Sequence, residues 1–559
     1  QPQHDQFQQM SNFFPELWSP GAAPLLYQPG CFDGSQTCAG SNRVAVHPLT
    51  GQPLGPNTGA AIATIVPGSG DILNGVRQAG DGISKYSYVW PTLVYGPRFG
   101  FAYDMTGTQS LVFRGGAGLF YDRPDGNTVF SIPGNPPIAE SQTLVNGRLA
   151  ALPPGLTGAS NMVIFQYDAK VPSSVQWNAG VQMALPWASS LDLSYVGNYG
   201  YNRLGGFQGG VLQNLNQVNL GAAYLPENQD PTRVGTSDVP GATALPANLM
   251  RPYRGFGAIN QNTTEFYDEY HSIQASYNRR MRNGFSFGVN YTWSILLEGN
   301  TGLQWRLQHN PDGSYQLRDD WDAYQELNKQ LAYQPHVFRG NFVWDLPDLV
   351  ADGGAKRAIG YILNDWQLSG IFNLSSGTNY DLSFAYQNNG DAINLTGSPD
   401  FSNNGSGARV VFLGDPGSGC SSDQYRQFNT AVVAGPTYGS VGMESGRNRM
   451  RGCMQRELDL SISRNIRMGG SRALQLRFDV FNPFGIINYT GRQAQLQLTN
   501  PTDQVVRNAQ YVDGQVDPTR RTPQTAGFGA VTAAQAYGAA AGGGADYLRV
   551  VRFTARFSF

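Results

Sequence analysis

Four cysteines are the first residues with chemistry to offer: Cys31 and Cys38 close a short Gly-containing loop, and Cys420 and Cys453 bracket a second irregular stretch. An even number placed in loops suits an oxidising compartment, so two disulfides are expected, Cys31–Cys38 and Cys420–Cys453. Neither set has the Cys-x-x-Cys spacing of a zinc or thiol-redox centre. The histidines at 4, 47, 271, 309 and 336 are scattered singly, so no metal site is expected. Asp319, Asp320, Asp322 and Glu326 form an acidic cluster with no His, Cys or Gly-rich phosphate cradle beside it. Hydrolysis by paired carboxylates needs a separation that only a fold can set. Asn310, Asp312 and Ser314 resemble the start of a calcium loop, but no bidentate acid follows at the required offset. The expectation is a protein that is not an enzyme and has no cofactor.

The elements that carry these residues follow from composition and period. Only 14% of the 559 residues are charged, with 69 Gly and 12% aromatics, against a usual charged share of roughly 25%. No run of about 18 apolar residues exists, which excludes a helical membrane protein. Few charges, abundant Gly, Tyr and Phe, and no apolar helix fit a membrane β-barrel, whose signal is weak in any one segment. The net charge of −2 gives nucleic acid nothing to bind. The basic residues are nearly all Arg, and several fall where they can pair with carboxylates or anionic lipid head groups.

Alternation of period two recurs along the chain. Val175, Trp177, Ala179, Val181 and Met183 share one face against Gln176, Asn178, Gly180 and Gln182, and Phe285, Phe287, Val289, Tyr291 and Trp293 oppose Ser286, Gly288, Asn290, Thr292 and Ser294. About eleven strands are predicted: 91–103, 109–122, 172–185, 190–200, 267–280, 284–295, 335–346, 362–376, 456–467, 472–484 and 547–559. Their links alternate between short turns and the long stretches 123–171, 201–266, 296–334, 377–455 and 485–546. Loops above about 15 residues are uncommon in compact soluble domains. Short turns on one side and long loops on the other define an all-β, antiparallel transmembrane barrel of the outer-membrane type.

The last segment sets direction. Phe553, Phe557 and Phe559 share its apolar face, and a terminal aromatic closing an alternating strand is the signal that the barrel-assembly machinery reads. That end is expected on the periplasmic side, which puts residues 1–90 and the five long loops outside the cell and assigns 91–559 to the barrel with those loops. Eleven is odd, whereas single-chain bacterial barrels have even strand numbers. The chain is therefore expected to be the C-terminal part of a larger barrel of about 22 strands, and the lack of a signal peptide at Gln1 agrees with a processed or partial chain.

Several stretches carry a family resemblance: Ile65–Asp71 (IVPGSGD), Pro97–Asp104 (PRFGFAYD), Arg114–Arg123 (RGGAGLFYDR), Ser194–Asn198 (SYVGN), Gly446–Asn448 (GRN) with Arg451-Gly452, Asp459–Ser461 (DLS) and Arg477–Asn482 (RFDVFN). In this order they resemble the C-terminal half of Oar-like TonB-dependent receptors, outer-membrane transporters of the carboxypeptidase-regulatory-like, plug and barrel type. Cys453 departs from the Pro that more often follows Arg-Gly, and a bond to Cys420 would replace that rigid turn. The resemblance implies a Gram-negative outer membrane, contact with lipid and lipopolysaccharide, and import of a nutrient such as a carbohydrate, peptide or metal chelate. It also implies coupling to TonB through a plug and an N-terminal half-barrel that this sequence lacks. Substrate would first meet loops such as 201–266 and 377–455. The alternative reading is a structural or surface-interaction barrel within an envelope or extracellular assembly.

Overall fold

The computed structural model describes residues 6–91, 93–124, 130, 132–140, 142–143, 156–204, 213–300, 306–310, 314–331, 334–348, 360, 363–387, 393–401, 407–469, 472–509, 511–512, 515–516, 519–520, 522–536 and 549–559. Eleven long strands form one antiparallel meander: β1 (Arg98–Asp104), β2 (Leu111–Tyr121), β3 (Ser173–Leu185), β4 (Ser189–Arg203), β5 (Phe266–Arg282), β6 (Phe285–Gly299), β7 (His336–Asp345), β8 (Trp366–Ser375), β9 (Gln455–Gly469), β10 (Arg472–Phe481) and β11 (Val550–Ser558). Each pairs with its neighbours in sequence, and β1 and β11 form the two edges. A two-residue strand at Gln330–Leu331 adds to the long-loop end of β6.

The expected strands are all present, with ends moved by local chemistry. β1 starts at Arg98, because Pro97 has no N–H to give a ladder. β10 stops at Phe481, where Asn482 turns to φ 49° ahead of Pro483. The β5–β6 turn is the two-residue Asn283-Gly284, both at positive φ (54° and 72°), which suits the right-handed strand twist. Tyr547, Leu548, Asp312 and the turn residues 470–471 lie outside the described residues.

Register sorts the side chains into two faces. Phe287, Phe342, Gly370, Leu460, Val480 and Val551 follow one another across β6 to β11 on one face. Asn290, Arg339, Asn373 and Glu457 lie in line on the other. On the apolar face, aromatic rings cover glycines of the next strand: Trp177 lies over Gly197, and Phe372 over Gly340. A Cβ on either glycine would fall inside the ring's contact radius. Towards the long-loop end this face becomes polar-tipped. The Tyr195 hydroxyl sits 2.5 Å from Nδ1 of His271, whose Nε2 is 2.7 Å from Glu269, and the Tyr291 hydroxyl is 2.8 Å from Nδ1 of His336. Rings with one apolar body and one wet tip suit a membrane–water boundary.

The apolar core lies away from the sheet, in the long loops. Phe13, Met162, Ile164, Leu215, Phe256 and Ile259 are each no more than 3% exposed and form one cluster drawn from three separate stretches of chain. A second cluster joins Phe384, Val410, Phe428, Leu496 and Phe528. By contrast, buried residues well inside the long strands are polar, such as Ser272, Ser461 and Ser463. Short strands stitch the loops together: Ser160–Phe165 pairs in parallel with Phe256–Asn262, and Ser383–Tyr386 with Gln495–Leu498. Asparagine amides serve the remaining backbone groups, as buried backbone polar groups must be served. Asn216 donates to the carbonyls of Tyr253, Phe256 and Gly257 and accepts from Tyr253 N. Asn12 spans the carbonyls of Ser87 and Phe165.

Ion pairs tie the loops to one another. Arg43 Nη2 lies 2.5 Å from Asp230, whose side chain is 1% exposed. Arg251 grips both oxygens of Asp400, at 2.9 and 2.7 Å, and its Nη1 also donates to Asn216 O at 2.6 Å. A bidentate fork of this kind fixes direction as well as distance.

Candidate binding surfaces on the sheet and in the loop layer

Alternation delivers every second side chain of β7 to β11 to the polar face, where hydrogen bonds run from strand to strand. Arg339 Nε donates to Asn373 at 3.3 Å, and Asn373 Nδ2 donates to Glu457 at 2.9 Å. Arg477 Nε donates to Ser461 Oγ at 3.0 Å and to Asp479 at 2.6 Å. Nearer the long loops, Ser174 donates to Asn198, Asn198 to Asp268, and Asp268 pairs with Arg203 at 2.7 Å. A cavity of about 550 Å³ lies against this face, bordered by Asp459, Arg477, Asp479, Arg552 and Arg556. The guanidinium of Arg552 stands 5.4 Å from the ring centre of Phe481. Donors and acceptors alternating at this density make a surface for hydrated polar solutes, because each group has a partner that water or a solute can replace.

The loop layer holds a second cavity, of about 440 Å³, where residues 13–16, 166–168, 213–215, 261–265, 306–307 and 315–317 meet. Phe13, Leu215 and Leu307, all buried, form its floor, while Glu16 and Asp168 are exposed at its rim. Gln213 and Gln261 are cross-strand partners on its wall. Arg306 pairs with Glu265 on the same wall. Beside it, His309 is enclosed edge-on by Tyr253 (5.7 Å) and Tyr315 (5.8 Å), and neither ring nitrogen has a partner among the described residues. Burial pushes its pKa down to about 4, since the charged form loses its water.

The residues singled out in the sequence fall in three places. Cys31 is bonded to Cys38 at the end of a hairpin formed by Gln28–Cys31 and Arg43–Val46, and Cys420 is bonded to Cys453 just before β9. Within the first loop Asp33 accepts from Ser35 Oγ and N, which holds its carboxyl down at about 2. Phe553, Phe557 and Phe559 stand on the apolar face, 56, 43 and 86% exposed, with Phe553 against Phe478 at 4.9 Å.

The acidic cluster of the sequence is divided around the helix α1 (Trp321–Asn328). Asp320 is held by Arg318 at 2.5 and 2.7 Å, which lowers its pKa, and Glu326 pairs with Lys329 at 3.0 Å. Asn310 donates to Ser314 Oγ at 2.9 Å. Gln213, Gln261 and His309 carried no signal in the sequence, because each gains its setting from loops distant in the chain.

Residues 1–549 match the profile of the outer membrane beta barrel domain family. The chain belongs to that family, and its place is the bacterial outer membrane. Among solved structures it is similar to the outer membrane transporter YddB from Escherichia coli, at 9% identity and a TM-score of 0.33, covering 74% of this chain and 38% of that one. It is also similar to a mutant of the ferric enterobactin receptor PfeA from Pseudomonas aeruginosa in complex with enterobactin, at 12% identity and a TM-score of 0.34, covering 79% and 38%. A third similar structure is the ferric-catecholate import receptor Fiu from Escherichia coli K12, at 10% identity and a TM-score of 0.29, covering 84% and 37%. The chain thus spans under two fifths of the length of each. No curated protein matches the sequence.

Proposed function

We propose that the chain forms part of the wall and the outer loop layer of a TonB-dependent receptor of the Oar-like type, importing a nutrient first held by the loops. The observation that carries this reading is the packing of the long loops and the N-terminal residues into a layer with apolar clusters of its own, beside a sheet whose other face is lined with polar groups. A porin-like or purely structural wall has no need of a preformed cavity among its loops. In this reading residues 1–90 and the five long loops lie outside the cell, the short turns face the periplasm, and a plug and a further half-barrel of about eleven strands complete the transporter. Energy then comes through TonB acting on that plug, while the residues described here capture the solute and line its path.

The test is depletion of a mixed nutrient medium by cells with and without the intact gene, each with and without a protonophore. Gene-dependent depletion of at least one nutrient, abolished by the protonophore, is expected. Depletion that ignores the gene, or that survives loss of the proton gradient, would remove the import reading and leave a structural or surface-interaction role.

A further inference from the structure

We propose that the 440 Å³ cavity of the loop layer is a binding site for a neutral, hydroxyl-rich ligand of the saccharide class. This deepens the import reading and rests on it for its biological role, although binding itself does not. The volume falls within the roughly 300–1,000 Å³ of small-molecule sites. Its wall carries Gln213 and Gln261, which face one another across a strand pair. Gln213 is only 5% exposed and Gln261 is half-buried, and neither has a sealed, unpartnered amide atom, so the amides of both are open to the cavity. Amides that water can reach on a concave wall exchange that water for the hydroxyls of a solute at little cost, so this pair can hold a ligand that enters the cavity.

The chemistry of that partner follows from the inventory of groups. Each glutamine offers an N–H donor and a carbonyl acceptor, whereas Glu16, Asp168 and Glu265 accept only, and Arg306 is already engaged by Glu265. An anion can only accept and would meet a rim of carboxylates. An ammonium can only donate and would leave both glutamine NH₂ groups without acceptors. A hydroxyl both donates and accepts, so a ring of hydroxyls serves the amides and the carboxylates together. Tyr315, 45% exposed, gives the apolar face of a sugar ring something to lie against.

Calorimetry on the purified full-length receptor in detergent tests this, with glucose, maltose, cellobiose and chitobiose as neutral probes, spermidine as the cationic probe and citrate as the anionic one. At least one saccharide is expected to bind. Gln261→Leu and the isosteric Gln213→Glu, which removes a donor without changing shape, should each weaken it about tenfold or more. Limited proteolysis of the loops, with the same cutting pattern as the wild type, checks that the loop layer of both variants folds. Saccharide binding lost in the glutamine variants, without gene-dependent uptake in cells, would keep the site and remove import. No saccharide bound more tightly than about 10 mM, binding untouched by either variant, or preference for citrate or spermidine would overturn the site whatever the uptake result.

Discussion

His309 gives the loop layer a dependence on acid. Its pKa is about 4 in the folded protein against an ordinary 6.5, so between these values an unfolded chain takes up a proton that the folded one refuses. Stability from this residue is complete above the upper value, falls as pH drops through the window, and levels off below the lower one. The loss totals about 3 kcal/mol. Limited proteolysis of the loops from about pH 7.5 to about pH 4 should show them opening in the wild type and a flatter profile in His309→Gln; matching profiles would dismiss the histidine as the cause. The cysteines were legible in sequence because seven and 33 residues of separation close local loops. His309 and the glutamine pair were not, since a side chain's burial depends on which distant loop arrives beside it.

A strand shows its two faces in its own sequence, which is why all eleven strands of the sheet could be placed before any contact was known. The period of two needs no partner to be seen, whereas the short strands inside the loops, of two to seven residues, give too few alternations to register. The register puts Phe287 on the apolar face and Asn290 on the polar one. Phe287→Arg is therefore expected to cost about 2–4 kcal/mol near the bilayer midplane and to impair insertion, with Asn290→Arg tolerated. Urea titration in lipid vesicles would reveal this, and a larger loss for Asn290→Arg than for Phe287→Arg would show the faces to be reversed. Between loops, Arg251 and Asp400 are the pair to break, with side chains 7 and 15% exposed. Asp400→Leu leaves a buried guanidinium with no counter-charge and only the neutral oxygens of Asn216 and Asn248, and should destabilise the layer by about 3–5 kcal/mol. The expected readout is faster proteolytic cutting near residues 218 and 400 with the sheet still heat-modifiable; unchanged cutting would mean the pair is idle.

At the scale of the molecule, membrane and water sort the chain in opposite senses. The sheet turns its apolar side chains outwards and keeps polar groups on its other face, while the loop layer buries Phe13, Ile164 and Phe256 as a water-soluble domain does. The exposed Phe559 closes the apolar face at the short-turn end. Its deletion should slow assembly while leaving the stability of barrels that do insert within about 0.5 kcal/mol, as for a surface change; a large fall in stability with normal assembly kinetics would count against its role as a signal. The loop layer adds a constraint of its own. Its first core unites residue 13 with residues 162, 215, 256 and 307, and contacts so far apart in sequence close only after the intervening hairpins are in place. The finished surface is thus a record of completed insertion: an antibody whose epitope spans two of these loops would bind only molecules whose sheet is threaded, and would count mature copies on a cell without counting those stalled on the way.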